Sequence, residues 1–238
     1  MKHIKLSLIL ALFAVIVTSC SSDDDVIFGP KEYVDLGLPS GTLWATCNIG
    51  ATEPGDMGQL FAWGEVVPKK IGPVEGEEEG GIIVDANGYY IELEDSYKWW
   101  NDGFTKYSGV YYNSMMADDC QDYVSILESC DDAATANWGK DWKIPTPEQW
   151  KELISNCVVY AYGNSICYRA KNGNTIEFPV YWKYHPCTSG MNQTSYWTNE
   201  LDSSTKDGVI IYTADFTKMK IARERRWNAC LIRPVRNK

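Results

Sequence analysis

Only residues 146–157 carry a sustained helical period, and the scarcity of that pattern elsewhere is the strongest constraint on what this chain can fold into. Thr146 stands as an N-cap, Pro147 takes the first helical position, and Gln149 completes a capping box three residues on. Trp150, Leu153, Ile154 and Cys157 follow at i, i+3, i+4 and i+7, so one face must be buried. A shorter helix is predicted over 132–138, stopped by Gly139. The rest alternates or turns. Leu43, Ala45, Cys47 and Ile49 alternate with Trp44, Thr46 and Asn48, the period of a half-buried strand. Residues 166–170 and 175–180 flank Asn172-Gly173 as a hairpin, and 196–198, 209–213 and 231–235 are further strands. With ten Trp and fifteen Tyr but little helical period, the expectation is an α+β domain, β-rich, with one or two short helices and long loops.

The N-terminal segment stands apart from this domain. Lys2 and Lys5 precede an apolar run over 6–17, and Val17-Thr18-Ser19 leads into Cys20. A run this short does not cross about 30 Å of hydrocarbon, so residues 1–19 read as a signal peptide that is removed. The layout resembles a bacterial lipoprotein signal. That resemblance implies a mature chain beginning at a lipidated Cys20, anchored by more than one acyl chain. Residues 20–30 then form an acidic tether with Asp23, Asp24 and Asp25 just beyond the lipid site. Similar acid-rich starts in Bacteroidetes lipoproteins resemble signals for export to the outer face of the outer membrane. The expected location is therefore the outer membrane, exposed at the cell surface.

Residues 31–238 read as a single domain, since no repeat or interdomain linker interrupts them. The net charge is −10, and more negative still without Lys2 and Lys5. Such a surface repels phosphate backbones, which argues against nucleic acid as a partner. Seven cysteines remain beside Cys20, an odd number that leaves at least one thiol without an intramolecular partner. Cys120 and Cys130 flank a short loop and are the first choice for a disulfide; burial of most cysteines as small hydrophobes is the alternative. Composition shifts over 74–93, where four glutamates within 75–79 precede Ile82-Ile83-Val84, Asn87-Gly88 and Tyr89-Tyr90-Ile91. This predicts an inserted, projecting hairpin turning at Asn87-Gly88.

Three blocks carry a family resemblance. The first runs from Tyr33-Val34-Asp35-Leu36-Gly37-Leu38-Pro39-Ser40-Gly41-Thr42-Leu43-Trp44 through Ala51 to Phe61-Ala62-Trp63-Gly64-Glu65. The second is Asp131-Asp132-Ala133-Ala134-Thr135-Ala136-Asn137-Trp138-Gly139 with Trp142-Lys143-Ile144-Pro145-Thr146. The third is Tyr196-Trp197-Thr198 leading to Ile232-Arg233-Pro234-Val235-Arg236. Together they resemble the Fibrobacter succinogenes major paralogous domain, a family abundant in Bacteroidetes surface and secreted proteins. The resemblance implies a C-type-lectin-like fold of twisted antiparallel strands, related to the formylglycine-generating enzyme domain, and no established catalytic residues. The segment 74–93 and Cys230 depart from the family pattern.

Candidate chemistry is sparse. Trp100-Asn101-Asp102 spells the calcium-coordinating triplet of sugar-binding lectins, but the upstream candidate is Glu53-Pro54-Gly55, which lacks the amide oxygen such a site uses. His185 lies two residues from Cys187 without a pattern that makes them a dyad, and Cys187 with Cys230 lacks the local sequence of a copper-oxidase cysteine pair. There is no phosphate-binding glycine loop, zinc-spaced Cys and His set or serine elbow. No cofactor, metal or catalytic residue is therefore expected. Aromatic density points to recognition instead. Trp99, Trp100, Tyr111 and Tyr112 occupy one loop region and Tyr181, Trp182 and Tyr184 another, offering flat apolar area to a glycan or a protein. The expectation is a surface-displayed, non-enzymatic binding module. The alternatives are an accessory component of an envelope assembly and, less favoured, an oxidase related to the formylglycine-generating enzyme.

Overall fold

The computed structural model describes residues 29–73, 81–83, 94–101, 103–108, 122, 124–180, 193–204, 207–214 and 218–238. Across these the chain is mostly antiparallel sheet with two short helices.

The segment 229–236 organises the body. Its first part, β12 (Ala229–Cys230), pairs with β3 (Phe61–Ala62). Leu231 then bridges in parallel to Tyr196 of β9 (Gln193–Leu201), and the Ile49 N–H donates to the Ile232 carbonyl at 3.1 Å. Its last part, β13 (Val235–Arg236), pairs with β2 (Leu43–Ala45), whose other side pairs with β1 (Tyr33–Asp35). From β9 the chain continues as a meander through β10 (Gly208–Ala214) to β11 (Lys220–Glu224). A separate sheet has the order β6 (Val158–Tyr162), β7 (Ser165–Arg169), β8 (Thr175–Pro179).

Successive residues along this framework face two different cores. Trp44, Tyr196, Ile211, Leu231 and Val235 pack with Trp150, Leu153, Tyr168 and Phe178. Their neighbours Ala45, Trp197, Ile210 and Ile232 pack with Phe61, Trp63, Trp138 and Trp142 on the opposite side. The expectation of a half-buried strand at Leu43 is thereby corrected: Leu43, Trp44 and Ala45 are all buried. A strand covered on both faces has no need to alternate polar with apolar.

Both helices form where their caps lie. For α1 (Ala133–Trp138), Asp132 Oδ1 accepts from the Thr135 N–H at 2.9 Å, and Gly139 closes the helix at φ +104. For α2 (Pro147–Asn156), Thr146 Oγ1 accepts from the Gln149 N–H at 3.1 Å while Gln149 Oε1 accepts from the Thr146 N–H at 2.9 Å. Trp150, Leu153 and Ile154 are buried, with Trp150 meeting Trp44 edge-on at 4.7 Å between centroids.

Of the expected inserted hairpin over 74–93, only residues 81–83 are described. β5 (Gly81–Ile83) pairs upstream with β4 (Ile71–Pro73), so the glutamate run falls in the connection between them. That connection and Asn87-Gly88 lie outside the described residues.

Candidate functional site

The loop region around Trp99 and Trp100 is fixed onto the turn that follows β3. Tyr97 Oη donates to the Trp63 carbonyl at 2.8 Å, and the Lys98 N–H donates to Glu65 Oε1 at 2.8 Å. Glu65 also holds Lys69 in a buried ion pair at 2.8 Å. Trp99 lies over Gly64, where an added Cβ would meet the indole nitrogen at 3.3 Å; this close approach and φ +78 both suit glycine. Past Trp99 the backbone doubles back, with Trp100 bridging Phe104, Asn101 N–H donating to the Gly103 carbonyl, and Thr105 N–H donating to the Trp99 carbonyl.

This turn meets the one between β11 and β12, and three rings gather into a shelf. Trp100 is 5.1 Å from Phe104 and 5.8 Å from Trp227, and Phe104 stacks on Trp227 at 6.0 Å and 28°. All three rings are half-buried, while Asn101, Thr105 and Arg225 are exposed around them. Buried Arg226 closes the underside: its Cζ lies 3.3 Å from the Phe104 centroid and its Nη1 donates to the Tyr107 carbonyl at 2.9 Å. Burial lowers the Arg226 pKa to about 10, opposed by Tyr97 and the acids Asp122 and Asp207. Chemically the shelf offers ring faces to an apolar surface, with amide, hydroxyl and guanidinium donors at its rim.

Below it sits an ionic cluster. Lys106 Nζ lies 2.5 Å from both Glu128 Oε2 and Asp131 Oδ2, and Tyr107 Oη donates to Asp131 Oδ2 at 2.8 Å. Burial works against both charges, yet the pairing outweighs it, so the Lys106 pKa is raised and that of Asp131 lowered. Burial pushes the Tyr107 hydroxyl up to about 12. Tyr107 adopts φ +57 and is held there by its N–H donating to Asp122 Oδ2 at 2.5 Å. Glu128, Cys130 and Asp131 bring three ligand-type atoms within 4.8 Å, but the Lys106 ammonium already occupies the position between the two carboxylates.

The expected site residues divide accordingly. Trp100 lies on the shelf, whereas Trp99 serves the scaffold: it packs against the second core, and Lys98 Nζ covers its ring at 4.1 Å. Tyr111, Tyr112, Tyr181, Trp182, Tyr184, Cys20, His185 and Cys187 lie outside the described residues. Phe104 and Trp227 were not anticipated. Asp102 of the calcium triplet is outside the described residues, and the loop with Glu53 and Gly55 packs against Glu177 of β8. Of the expected Cys120 to Cys130 disulfide, Cys120 lies outside the described residues, and Cys130 is an exposed free thiol with its sulfur 3.9 Å from Glu128 Oε2. Cys47 and Cys167 are buried, and burial pushes both thiols above their ordinary range. Cys230 is buried in β12, facing the second core.

A second concavity of about 560 Å³ lies between the turn before α2 and the C-terminal residues, with Lys140, Lys143, Arg236 and Lys238 on its walls. Lys238 is already committed to Asp35 at 2.7 Å, and Arg236 lies between the rings of Tyr33 and Trp142 at 5.4 and 5.5 Å. No protein-family model, no curated protein and no solved structure matches the chain.

Proposed function

We propose that this chain is a lipid-anchored, surface-displayed, non-enzymatic binding module of C-type-lectin-like fold, and that it takes a glycan or protein ligand on the shelf formed by Trp100, Phe104 and Trp227. The observation that carries this reading is the convergence of three half-exposed rings from two turns far apart in sequence, packed at 5.1 to 6.0 Å. Folding alone rewards burying such rings. Leaving them accessible, on a rigid support with polar groups at the rim, is what recognition requires. A pyranose offers an apolar C–H face to a ring and hydroxyls to its surroundings; Asn101 and Arg225 are placed to meet the latter.

The fold part of the proposal draws support from two features. The described chain is antiparallel sheet with two short helices, and the first and third resemblance blocks pair directly through β2 and β13. The kinship with the Fibrobacter succinogenes major paralogous domain rests on the residues of those blocks.

A glycan array and a surface-protein binding screen with the mature chain test the ligand. Binding that is lost in both Trp100→Ala and Trp227→Ala, with melting within a few degrees of the parent, is the expected result. Ligand binding unaffected by both variants would move recognition elsewhere on the molecule. A fold-intact chain with no ligand in either screen would favour the accessory envelope role.

A further inference from the structure

The open β6 edge of the β6-β7-β8 sheet differs from the edges at β11 and β8. β11 carries Lys220, Arg223 and Glu224, and β8 carries Glu177 and Pro179, the charges and proline that keep an exposed edge from pairing with another chain. β6 reads Val158-Val159-Tyr160-Ala161-Tyr162, and from Ser155 to Tyr168 there is neither a charged residue nor a proline. Val158 is 72% and Tyr162 67% exposed, so apolar side chains stand in water along this strand.

We propose that the β6 edge is a homotypic interface, where two copies of the chain join antiparallel about a two-fold axis at Tyr160. The backbone sets the register. A two-residue turn, Gly163 (φ +55) and Asn164, joins β6 to β7, so the flanking pair Tyr162 and Ser165 exchanges hydrogen bonds, as do Tyr160 with Cys167 and Val158 with Arg169. Alternation then turns the N–H and C=O groups of Val159 and Ala161 outward, and no described residue partners them there. In the two-fold arrangement Val159 of each copy exchanges hydrogen bonds with Ala161 of the other. Tyr160 faces its own equivalent as a non-hydrogen-bonded pair, and each Val158 lies opposite a Tyr162. That last pairing, β-branched against aromatic, is among the favourable cross-strand combinations, and it occurs twice by symmetry.

Self-pairing suits this edge better than a charged partner does. Two copies with a net charge of −10 repel one another over most of their surfaces, and this uncharged stretch is a seam where like charges do not meet. The result is a continuous six-stranded sheet, in the order β8-β7-β6 and back through the second copy.

The test uses the full lipidated protein in density-matched detergent. Sedimentation equilibrium should show a concentration-dependent dimer. Ala161→Pro removes one outward N–H while leaving the β6 to β7 ladder intact, and should weaken dimerisation roughly tenfold or more without shifting the circular-dichroism melt. Val158→Lys, which puts charge on the seam, should do the same. In a Cys130→Ser background, Tyr160→Cys should form an intermolecular disulfide on mild oxidation, because facing non-hydrogen-bonded positions lie about 4.5 Å apart at Cα. Val158→Cys should not, because its equivalent is displaced by roughly 13 Å along the strand. A monomer at all concentrations would overturn the proposal, as would a dimer indifferent to both Ala161→Pro and Val158→Lys, or cross-linking through position 158 but not 160.

Discussion

Arg233 donates from Nε to Asn48 Oδ1 at 2.8 Å, joining two buried side chains 185 residues apart. Nη1 of the same guanidinium donates to the carbonyls of Thr46 at 2.8 Å and Ala45 at 3.2 Å, and its Cζ lies 4.6 Å from the Phe178 centroid. Asn48 in turn donates from Nδ2 to the Met57 carbonyl at 3.0 Å. Burial lowers the Arg233 pKa, opposed by Tyr196, Cys47 and Glu177, while the guanidinium's hydrogen bonds go to two carbonyls and an amide oxygen. The loop over 50–58, β2 and the C-terminal spine are thus fastened at one point.

Asn48→Ala should therefore be far more damaging than the loss of an ordinary amide. It takes an acceptor from a buried cation and leaves two carbonyls of the 50–58 loop short of a donor, at a cost of about 3 kcal/mol. For a domain of this size that corresponds to a fall in Tm of roughly 6–12 °C. Asn48→Asp, which keeps an acceptor and adds charge, should lose less. A urea titration ranking the two variants checks this; equal midpoints for Asn48→Ala and the parent would show that the guanidinium does not depend on Asn48.

The parts of the fold legible in the sequence are those that local chemistry decides. Thr146, Pro147 and Gln149 specify the start of α2 through bonds within one turn, and Asp132 and Gly139 do the same for α1. The Asn172-Gly173 hairpin is equally local, with Gly173 at φ +89. What escaped depends on distant partners. β6 follows α2 without a break in apolar pattern, and its turn begins with a single Gly163. β11 alternates Lys220, Ala222 and Glu224 with Ile221 and Arg223, which has no clear face until β10 lies beside it. Likewise Trp100 could be singled out for its aromatic neighbourhood, but Trp227 becomes its neighbour only when the β11 to β12 turn folds across. Arg-Arg-Trp-Asn over 225–228 was the available signal, and without a contact partner it reads as a solvated turn.

Asp131 should shape the acid limb of stability. Its burial would raise the carboxyl pKa, but the Lys106 ammonium and the Tyr107 hydroxyl bring it below the ordinary value. A lowered folded pKa contributes stability that is present above the unfolded value, near about 3.9, and is lost as pH falls through the folded one. Buried Asp132 acts with the opposite sign, because burial raises its pKa and protonation relieves it. Asp131→Asn isolates the first effect. The variant should be about 2 kcal/mol less stable at pH 7, discounted for the partial exposure of Lys106, and the difference from the parent should shrink steadily below about pH 4. Urea midpoints measured from pH 7 to pH 2.5 read this directly, and a difference that stays constant across that range would remove Asp131 from the acid limb.

The proposed anchoring and display rest on the first residues of the chain and can be tested separately from recognition. Val17-Thr18-Ser19-Cys20 after a cationic start and an apolar run is the basis on which lipidation at Cys20 is proposed. Two or more acyl chains, at roughly 0.8 kcal/mol per buried CH₂, hold a protein on a membrane where one does not. Cys20→Ala should leave unprocessed or soluble protein that no longer follows the detergent phase. Asp23, Asp24 and Asp25 act after lipidation on this reading, so replacing all three with alanine should keep the protein acylated but shield it from protease added to intact cells. The two variants separate the steps. Acylation lost in the aspartate variant would make the acidic run part of the processing signal, and protease protection of the unaltered protein would place it on the inner side of the outer membrane.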